Sequence, residues 1–251
     1  MNVGTANLIG NGLLYDGVND FVNLGSGLNS VPTTPISPIS FYFSFTPKAF
    51  SVNNNYILSA QDTSSITLRS YRIVYAASFI DVQLFSGNSR LLDLYINVNL
   101  SINVLYNVSF IARGDGTGYF NVNGQVTEAI PLYSGGFTLA DNTQAYTNWQ
   151  LGSVVYLPNY AYYANHIIYD LKIVNKALST GEATQLYESF GTNLTGLTSN
   201  IVANYDFNQK QGNTLIDKST NNLNGTLTNF ANTSLGVNNS WVNSLGGSIT
   251  Y

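Results

Sequence analysis

The sequence predicts an all-β chain of antiparallel strands, on three observations. Charged residues are only 9% of the 251 positions, while Tyr (18) and Phe (13) abound beside Asn, Ser and Thr, a mix that suits strands and polar turns better than amphipathic helices. Apolar and polar residues alternate with period two over several stretches, as they must where one face of a strand is buried. Between these stretches lie clusters of Asn, Asp, Gly and Ser, the residues that turn a chain sharply.

The elements follow in order. Leu13–Leu24 sets two apolar runs on either side of Asp16-Gly17-Val18-Asn19-Asp20, a tight bend between two strands. Val31–Pro38, with three prolines, reads as an extended connection. From Ile39, the residues Phe41, Phe43 and Phe45 alternate with Ser40, Tyr42, Ser44 and Thr46, which makes a strand. Tyr56–Ser59, Ser65–Tyr75, Phe79–Phe85 and Leu91–Val98 repeat the pattern across polar turns. Leu105–Arg113, Tyr119–Val122 and Gln125–Ile130 form a meander, because Asn123-Gly124 supplies the positive φ values of a type I′ hairpin.

Trp149–Val155 and Ala161–Val174 are further strands. The period then changes: Ser179-Thr180-Gly181-Glu182 is a capping box, and Ala183, Leu186 and Tyr187 fall at helical spacing, so one short helix is expected near 180–189. Ile201–Phe207 returns to strand, and Asn213–Phe230 alternates short apolar stretches with turns. Residues 1–230 read as one domain. Residues 231–251 read as a polar tail with only Trp241 and Val242 as anchors, disordered alone or ordered against a neighbouring subunit.

Composition excludes several functions. A net charge of −4 with nine scattered Lys and Arg gives no attraction for phosphates, so nucleic acid is not an expected partner. Without Cys there is no disulfide framework or thiol chemistry. Met1-Asn2-Val3-Gly4 lacks the pattern of a secretory signal and no run is long enough to span a bilayer, so synthesis into a cytoplasm is expected.

Catalytic parts are scarce. His166 is the sole imidazole, and it falls within a strand, where it reads as a hydrogen-bonded structural residue. Glu128, Glu182 and Glu188 are dispersed over a hairpin and a helix, so no acid pair for sugar hydrolysis is evident and an enzyme is not expected. Asp16, Asn19 and Asp20 could present oxygens to Ca²⁺ or cap their own backbone; both readings stand. Tyr156, Tyr160, Tyr162 and Tyr163 crowd a proline turn, and their flat faces and hydroxyls suit a protein contact or a stacked sugar.

Four segments together carry a family likeness. Leu14–Val22 resembles the FDGVNDYV stretch of concanavalin A-like, laminin-G-type domains, and Tyr119–Gly124 resembles their Y-V-N-G hairpin. Tyr169–Ser179 through Leu186-Tyr187 resembles their D-V-R-I-Y-N-R-A-L-S-x-x-E-I-x-x-L-Y segment. Tyr205-Asp206-Phe207, Gly212 and Asp217–Gly225 resemble W-x-F-D-E-x-x-G and D-x-S-G-N-x-x-D-G. The resemblance implies a two-sheet antiparallel jelly-roll sandwich. The last motif usually comes first, so the chain looks circularly permuted relative to that arrangement.

The resemblance also implies that the two Asp-rich loops meet, which would add Asp217 and Asn222 to a Ca²⁺ site. The E-x-D-x-E strand of the family's glycan hydrolases is missing. The function expected is therefore that of a non-catalytic bacteriophage virion protein (capsid decoration, spike or tail), with other virion proteins, further copies of itself or a host-surface glycan as partners. The alternative is a carbohydrate-binding module at a cell surface.

Overall fold

Ile39–Pro47 runs through the middle of one sheet, and all nine of its residues are buried. Phe41, Phe43 and Phe45 point into the main core, as their alternation predicts, while Tyr42 belongs to a second apolar cluster on the other side of the sheet. A strand buried on both faces implies three layers. The computed structural model supplies them, describing residues 11–30, 37–51, 55–61, 69–86, 89–134, 148–156, 160–231 and 240–243.

Strands are numbered β1 to β19 along the chain. The first sheet runs in the order β10 (Gln125–Glu128), β9 (Gly118–Val122), β8 (Tyr106–Ala112), β3 (Ile39–Pro47), β15 (Asn165–Val174), β1 (Asn11–Asp16), β19 (Trp241–Asn243). β16 (Ile201–Tyr205) joins the same side of β15 as β1, because β15 is long enough to serve both: Leu13 pairs with Ile168 and Tyr205 with Leu171. The second sheet is β11 (Ile130–Ser134), β7 (Ser89–Asn97), β6 (Phe79–Ser86), β5 (Arg69–Ala76), β4 (Asn55–Gln61), β12 (Asn148–Leu151), β2 (Phe21–Gly25), β18 (Gly225–Thr228), β17 (Thr214–Leu215). β13 (Ser153–Tyr156) and β14 (Tyr160–Tyr163) form a separate hairpin. The sheets pack face to face as an antiparallel jelly-roll sandwich, with Trp149, Trp241, Tyr15, Tyr75 and Tyr205 fully buried among the phenylalanines.

Two expected strands are each divided. Trp149–Val155 breaks at Gly152, whose φ is +78° and whose added Cβ would lie 2.2 Å from Tyr15 Cδ1. Only glycine fits there, and the chain leaves the second sheet at that point to start the hairpin. It returns at Ala164, whose N–H donates to the Gly152 carbonyl at 2.8 Å, so Ala161–Val174 becomes β14 and β15. The start expected at Ser65 lies outside the described residues; β5 begins at Arg69.

The helix α1 (Thr180–Glu188) carries the expected capping box: Ser179 Oγ accepts from the Glu182 N–H, and Glu182 Oε2 accepts from the Ser179 N–H at 2.8 Å. Ala183, Leu186, Leu178 and Leu197 pack on Tyr42, Ile111, Tyr119 and Val174, so the helical segment covers the outer face of the first sheet. Beneath it Lys172 is buried and paired with Asp170. At the Asn123-Gly124 turn both φ values are positive, +49° and +86°, as the hairpin reading requires.

Trp241 anchors residues 240–243 within the chain itself. Its strand pairs with β1, its ring is fully buried, and Nε1–H donates to the Gly212 carbonyl at 3.0 Å. Replacing so large a buried ring leaves a cavity, so Trp241→Ala is expected to lower unfolding free energy by about 3–5 kcal/mol in urea titrations.

His166 is likewise a core residue. Its Nδ1 meets the Tyr75 hydroxyl at 3.2 Å, and its ring lies edge-on to Tyr15 with centroids 4.8 Å apart. Burial lowers its pKa from 6.5 to about 3. The unfolded chain therefore binds this proton first, and the native state loses stability as pH falls from about 6.5 towards about 3. Asp20 and Asp170, both raised to about 6, and Asp81, raised to about 8, oppose that trend in part of the window. The difference between His166→Phe and the parent chain isolates the histidine: on acidification from about pH 6.5 to about pH 3 the parent should lose about 1.4 kcal/mol per pH unit relative to the variant.

Candidate ligand-binding face

The acidic loops expected to hold a cation use their oxygens on the backbone. Asp16 Oδ1 accepts from the N–H groups of Val18 (2.8 Å) and Asn19 (3.4 Å), and Asp20 Oδ2 accepts from the Asp16 N–H at 3.1 Å. Burial, and then the Asp16 charge, raise Asp20 to about 6. Asp217 is more heavily engaged: Oδ1 accepts from the Asn204 and Ser219 N–H groups, and Oδ2 from Ser219 Oγ and the Leu223 N–H, all within 2.9 Å. Asn222 takes a φ of +54° and donates from Nδ2 to the Thr220 carbonyl.

Register separates the two loops. In the β2–β18 ladder Phe21 stands opposite Thr228, and Asn229 donates to the Asn19 carbonyl, so the Asp16–Asp20 loop lies at one end of β18. Asp217 instead donates its backbone N–H to Asn224 Oδ1 at 2.9 Å, beyond the other end. The four residues of β18 lie between them, so Asn224 and Asn229 are five steps apart, about 16 Å at about 3.3 Å each. Among the described residues no three acidic or imidazole side chains converge on a metal position.

The tyrosine-rich hairpin sits on the outer face of the second sheet. Tyr156 and Tyr160 are opposed in the β13–β14 ladder, and the turn 157–159 lies outside the described residues. Tyr162 stacks on Tyr56 of β4, ring centroids 6.4 Å apart and 24° between planes, in a small cluster with Val74 and Val154. Tyr163 is half-buried. Ser59 Oγ on β4 donates to the Ser153 carbonyl at 2.7 Å, which ties the hairpin down.

Beside this hairpin the sheet presents a polar row that inspection of single motifs misses. Tyr71, Ile73, Val82, Leu84, Leu92 and Leu94 fill the core, so the intervening residues face outward. Asp93, Gln83, Arg72, Ser59 and Gln150 are successive cross-strand partners on β7, β6, β5, β4 and β12, and therefore line up across the sheet. Asp93, Gln83, Ser59 and Gln150 are buried, whereas Arg72, Phe85, Arg90 and Tyr95 form a half-exposed rim.

The row is linked internally. Arg90 pairs with Asp93, Gln83 Nε2 donates to Asp81 Oδ2 at 2.5 Å, and Ser153 Oγ donates to Gln150 Oε1 at 2.8 Å. The Arg72 and Arg90 guanidiniums lie 4.4 and 5.3 Å from the Phe85 ring centre. Burial, and then the adjacent Asp93 carboxyl, hold Asp81 well above the usual carboxylate range. The half-exposed Arg72 and Arg90 guanidiniums, held over the buried amides and carboxylates of the row, offer paired donors to a ligand rich in hydroxyls, and the Phe85 and Tyr95 rings offer it apolar faces. The available signal was parity: polar residues recur at alternate, outward positions of otherwise apolar strands, as at Arg72, Asp81, Gln83 and Asp93.

Because Asp217 satisfies four donors at once, Asp217→Ala should leave buried N–H groups unpaired. At about 1–3 kcal/mol for each such group, a loss of several kcal/mol in urea titrations is expected, and addition of calcium should not restore it.

No protein-family model and no curated protein matches the sequence. Solved structures do match. A candidate carbohydrate-binding protein of Bacteroides ovatus superposes with a TM-score of 0.59 at 15% identity, over 88% of this chain and 58% of that one, so the chain spans little more than half of that protein. The NanB sialidase of Streptococcus pneumoniae gives 0.54 at 17% identity, over 72% of this chain and 28% of the enzyme. The CBM40 domain of the Ruminococcus gnavus IT-sialidase, solved with α2,3-sialyllactose, gives 0.50 at 14% identity, over 69% of this chain and 96% of the domain. At these identities the likeness is one of fold, a two-sheet antiparallel jelly roll.

Proposed function

We propose that this chain is a glycan-binding module that holds its ligand against the outer face of the second sheet without breaking it. The observation that carries the reading is the polar row Asp93, Gln83, Arg72, Ser59 and Gln150, aligned by register and rimmed by Phe85, Arg90 and Tyr95. Sugar recognition needs both halves of this arrangement, polar groups for hydroxyls and rings for the C–H faces. The descriptions of two fold neighbours, a candidate carbohydrate-binding protein and a sialidase CBM40 domain, support it. The virion setting expected from the sequence has no counterpart in the three neighbours described, whereas the carbohydrate-binding alternative does.

The test is a glycan array on the purified chain, followed by calorimetry with the best ligand. Hydrogen bonds involving charged groups are worth about 1.5–3 kcal/mol, so Arg72→Ala should weaken binding roughly ten- to a hundredfold, and Gln83→Ala should also weaken it. Glu128→Ala, at the Arg113 ion pair on the edge of the first sheet, should leave affinity unchanged. A folded protein that binds nothing on the array sinks the reading, as does binding indifferent to both substitutions. Release of reducing sugar from the bound glycan would overturn its non-catalytic part.

A further inference from the structure

Two buried oxygens on the outer face of the second sheet lack a hydrogen-bond donor, Asp81 Oδ1 and Asp93 Oδ1. The other oxygen of each carboxyl is engaged: Asp81 Oδ2 accepts from Gln83 Nε2, and Asp93 Oδ2 takes the Arg90 guanidinium. In the β6–β7 ladder Asp81 stands opposite Tyr95 and Asp93 opposite Gln83, which makes the two acids diagonal neighbours on one face. Beyond burial, the neighbouring Asp93 carboxyl raises the Asp81 pKa. A single hydrogen atom between the two unpartnered oxygens satisfies both, whereas two carboxylates facing each other out of water would repel.

We infer that Asp81 and Asp93 share one proton, and that this proton latches β6 to β7 beneath the ligand face, so that ligand binding weakens when the proton leaves. The effect on binding rests on the glycan-binding reading above; the shared proton does not.

The surroundings favour a proton over a metal ion. The charged and titratable groups around the pair are Arg90 and Tyr95 on β7 and Arg72 on β5. Gln83 and Phe85 on β6 and Ser59 on β4 are neutral, and Tyr133 of β11 is the ladder partner of Asp93. With one proton, the acid, the carboxylate and Arg90 sum to zero charge. A divalent cation would instead lie beside the Arg90 guanidinium, which already occupies Asp93. Loss of the proton sets two carboxylates against one guanidinium, and their repulsion drives Asp81, together with the Gln83 amide it holds in the middle of the polar row, away from Asp93.

Carboxyl ¹³C NMR on the chain with labelled aspartate reads the pair directly. One aspartate should remain protonated at neutral pH and move together with a second as it titrates. Unfolding by urea without ligand supplies a second readout. The proton binds more tightly in the native state than in the unfolded one, so stability conferred by the pair is lost as pH rises through its native titration. The parent chain should therefore weaken as pH rises from about 6.5 to about 8 and level off above that. Asp81→Asn, whose amide can donate to Asp93 permanently, should stay flat across that window. With the array ligand, parent affinity should fall about tenfold per pH unit above the titration, and that of Asp81→Asn should not.

Both aspartates titrating in the ordinary carboxylate range would overturn the inference, as would an unchanged stability slope in Asp81→Asn. So would stoichiometric Ca²⁺ binding that expels the proton at neutral pH. If Asp81→Asn does not fold, the NMR titration of the parent chain decides alone. If the pair titrates as stated and no glycan binds, the latch stands and the glycan reading falls.

Discussion

Register in the second sheet is the constraint on which the rest depends. Tyr71, Ile73 and Tyr75 on β5, Ile80, Val82 and Leu84 on β6, and Leu92, Leu94 and Ile96 on β7 all take the inward parity. A slip of one residue would send Arg72, Asp81, Gln83 and Asp93 into the aromatic core and expose the apolar set, so the hydrophobic effect fixes the alignment. The polar row is the other side of the same choice: the apolar parity that builds the core lines up Asp93, Gln83, Arg72, Ser59 and Gln150 across five strands. The bulge at Leu84/Phe85 then re-aims the strand end, which places Phe85 opposite Arg90 and beneath two guanidiniums.

The two outer faces of the sandwich have opposite fates, and chain topology decides which is which. Over the first sheet, the segment after β15 turns back as α1 and Gly191 closes on the Asp170–Lys172 pair so tightly that a Cβ would come within 2.5 Å of Asp170 Oδ2. That face is finished: its ions are matched and its apolar residues have a helix to pack on. Over the second sheet, Gly152 sends the chain outward as a short hairpin that covers β4 through the Tyr56–Tyr162 stack. Arg72, Phe85, Arg90 and Tyr95 remain half-exposed at the rim.

What could be read in advance was what depends on neighbours in sequence. The alternation at Phe41, Phe43 and Phe45, the positive φ pair at Asn123-Gly124 and the Ser179/Glu182 capping box each need only a few consecutive residues, and each appears as expected. The break at Gly152 was not legible, because the reason for it is the Tyr15 ring from the far end of the chain. The acid pair was missed for the same reason: Asp81 and Asp93 sit on different strands, and only the ladder makes them neighbours. Conversely, motif likeness suggested that the Asp16 and Asp217 loops meet, whereas the β2–β18 register sets them at opposite ends of one short strand. A motif specifies a turn's chemistry, and the ladder specifies its address.

Satisfaction of hydrogen bonds separates the acids that hold the fold from those that face a ligand. Asp217 is buried and every interaction of its carboxyl is spent on the loop it closes, so nothing is left for a partner. Asp81 and Asp93 are equally buried, yet each keeps one oxygen without a donor while its other oxygen is engaged. Leaving a buried acceptor unpaired costs about 1–3 kcal/mol, and a jelly roll this well packed could place an apolar side chain at either position. A proton shared between the two removes that cost and leaves the carboxyls polar, with Gln83 fixed on one side and Arg90 on the other. The same pair that threatens the sheet with like-charge repulsion is therefore what holds its ligand face in a defined geometry.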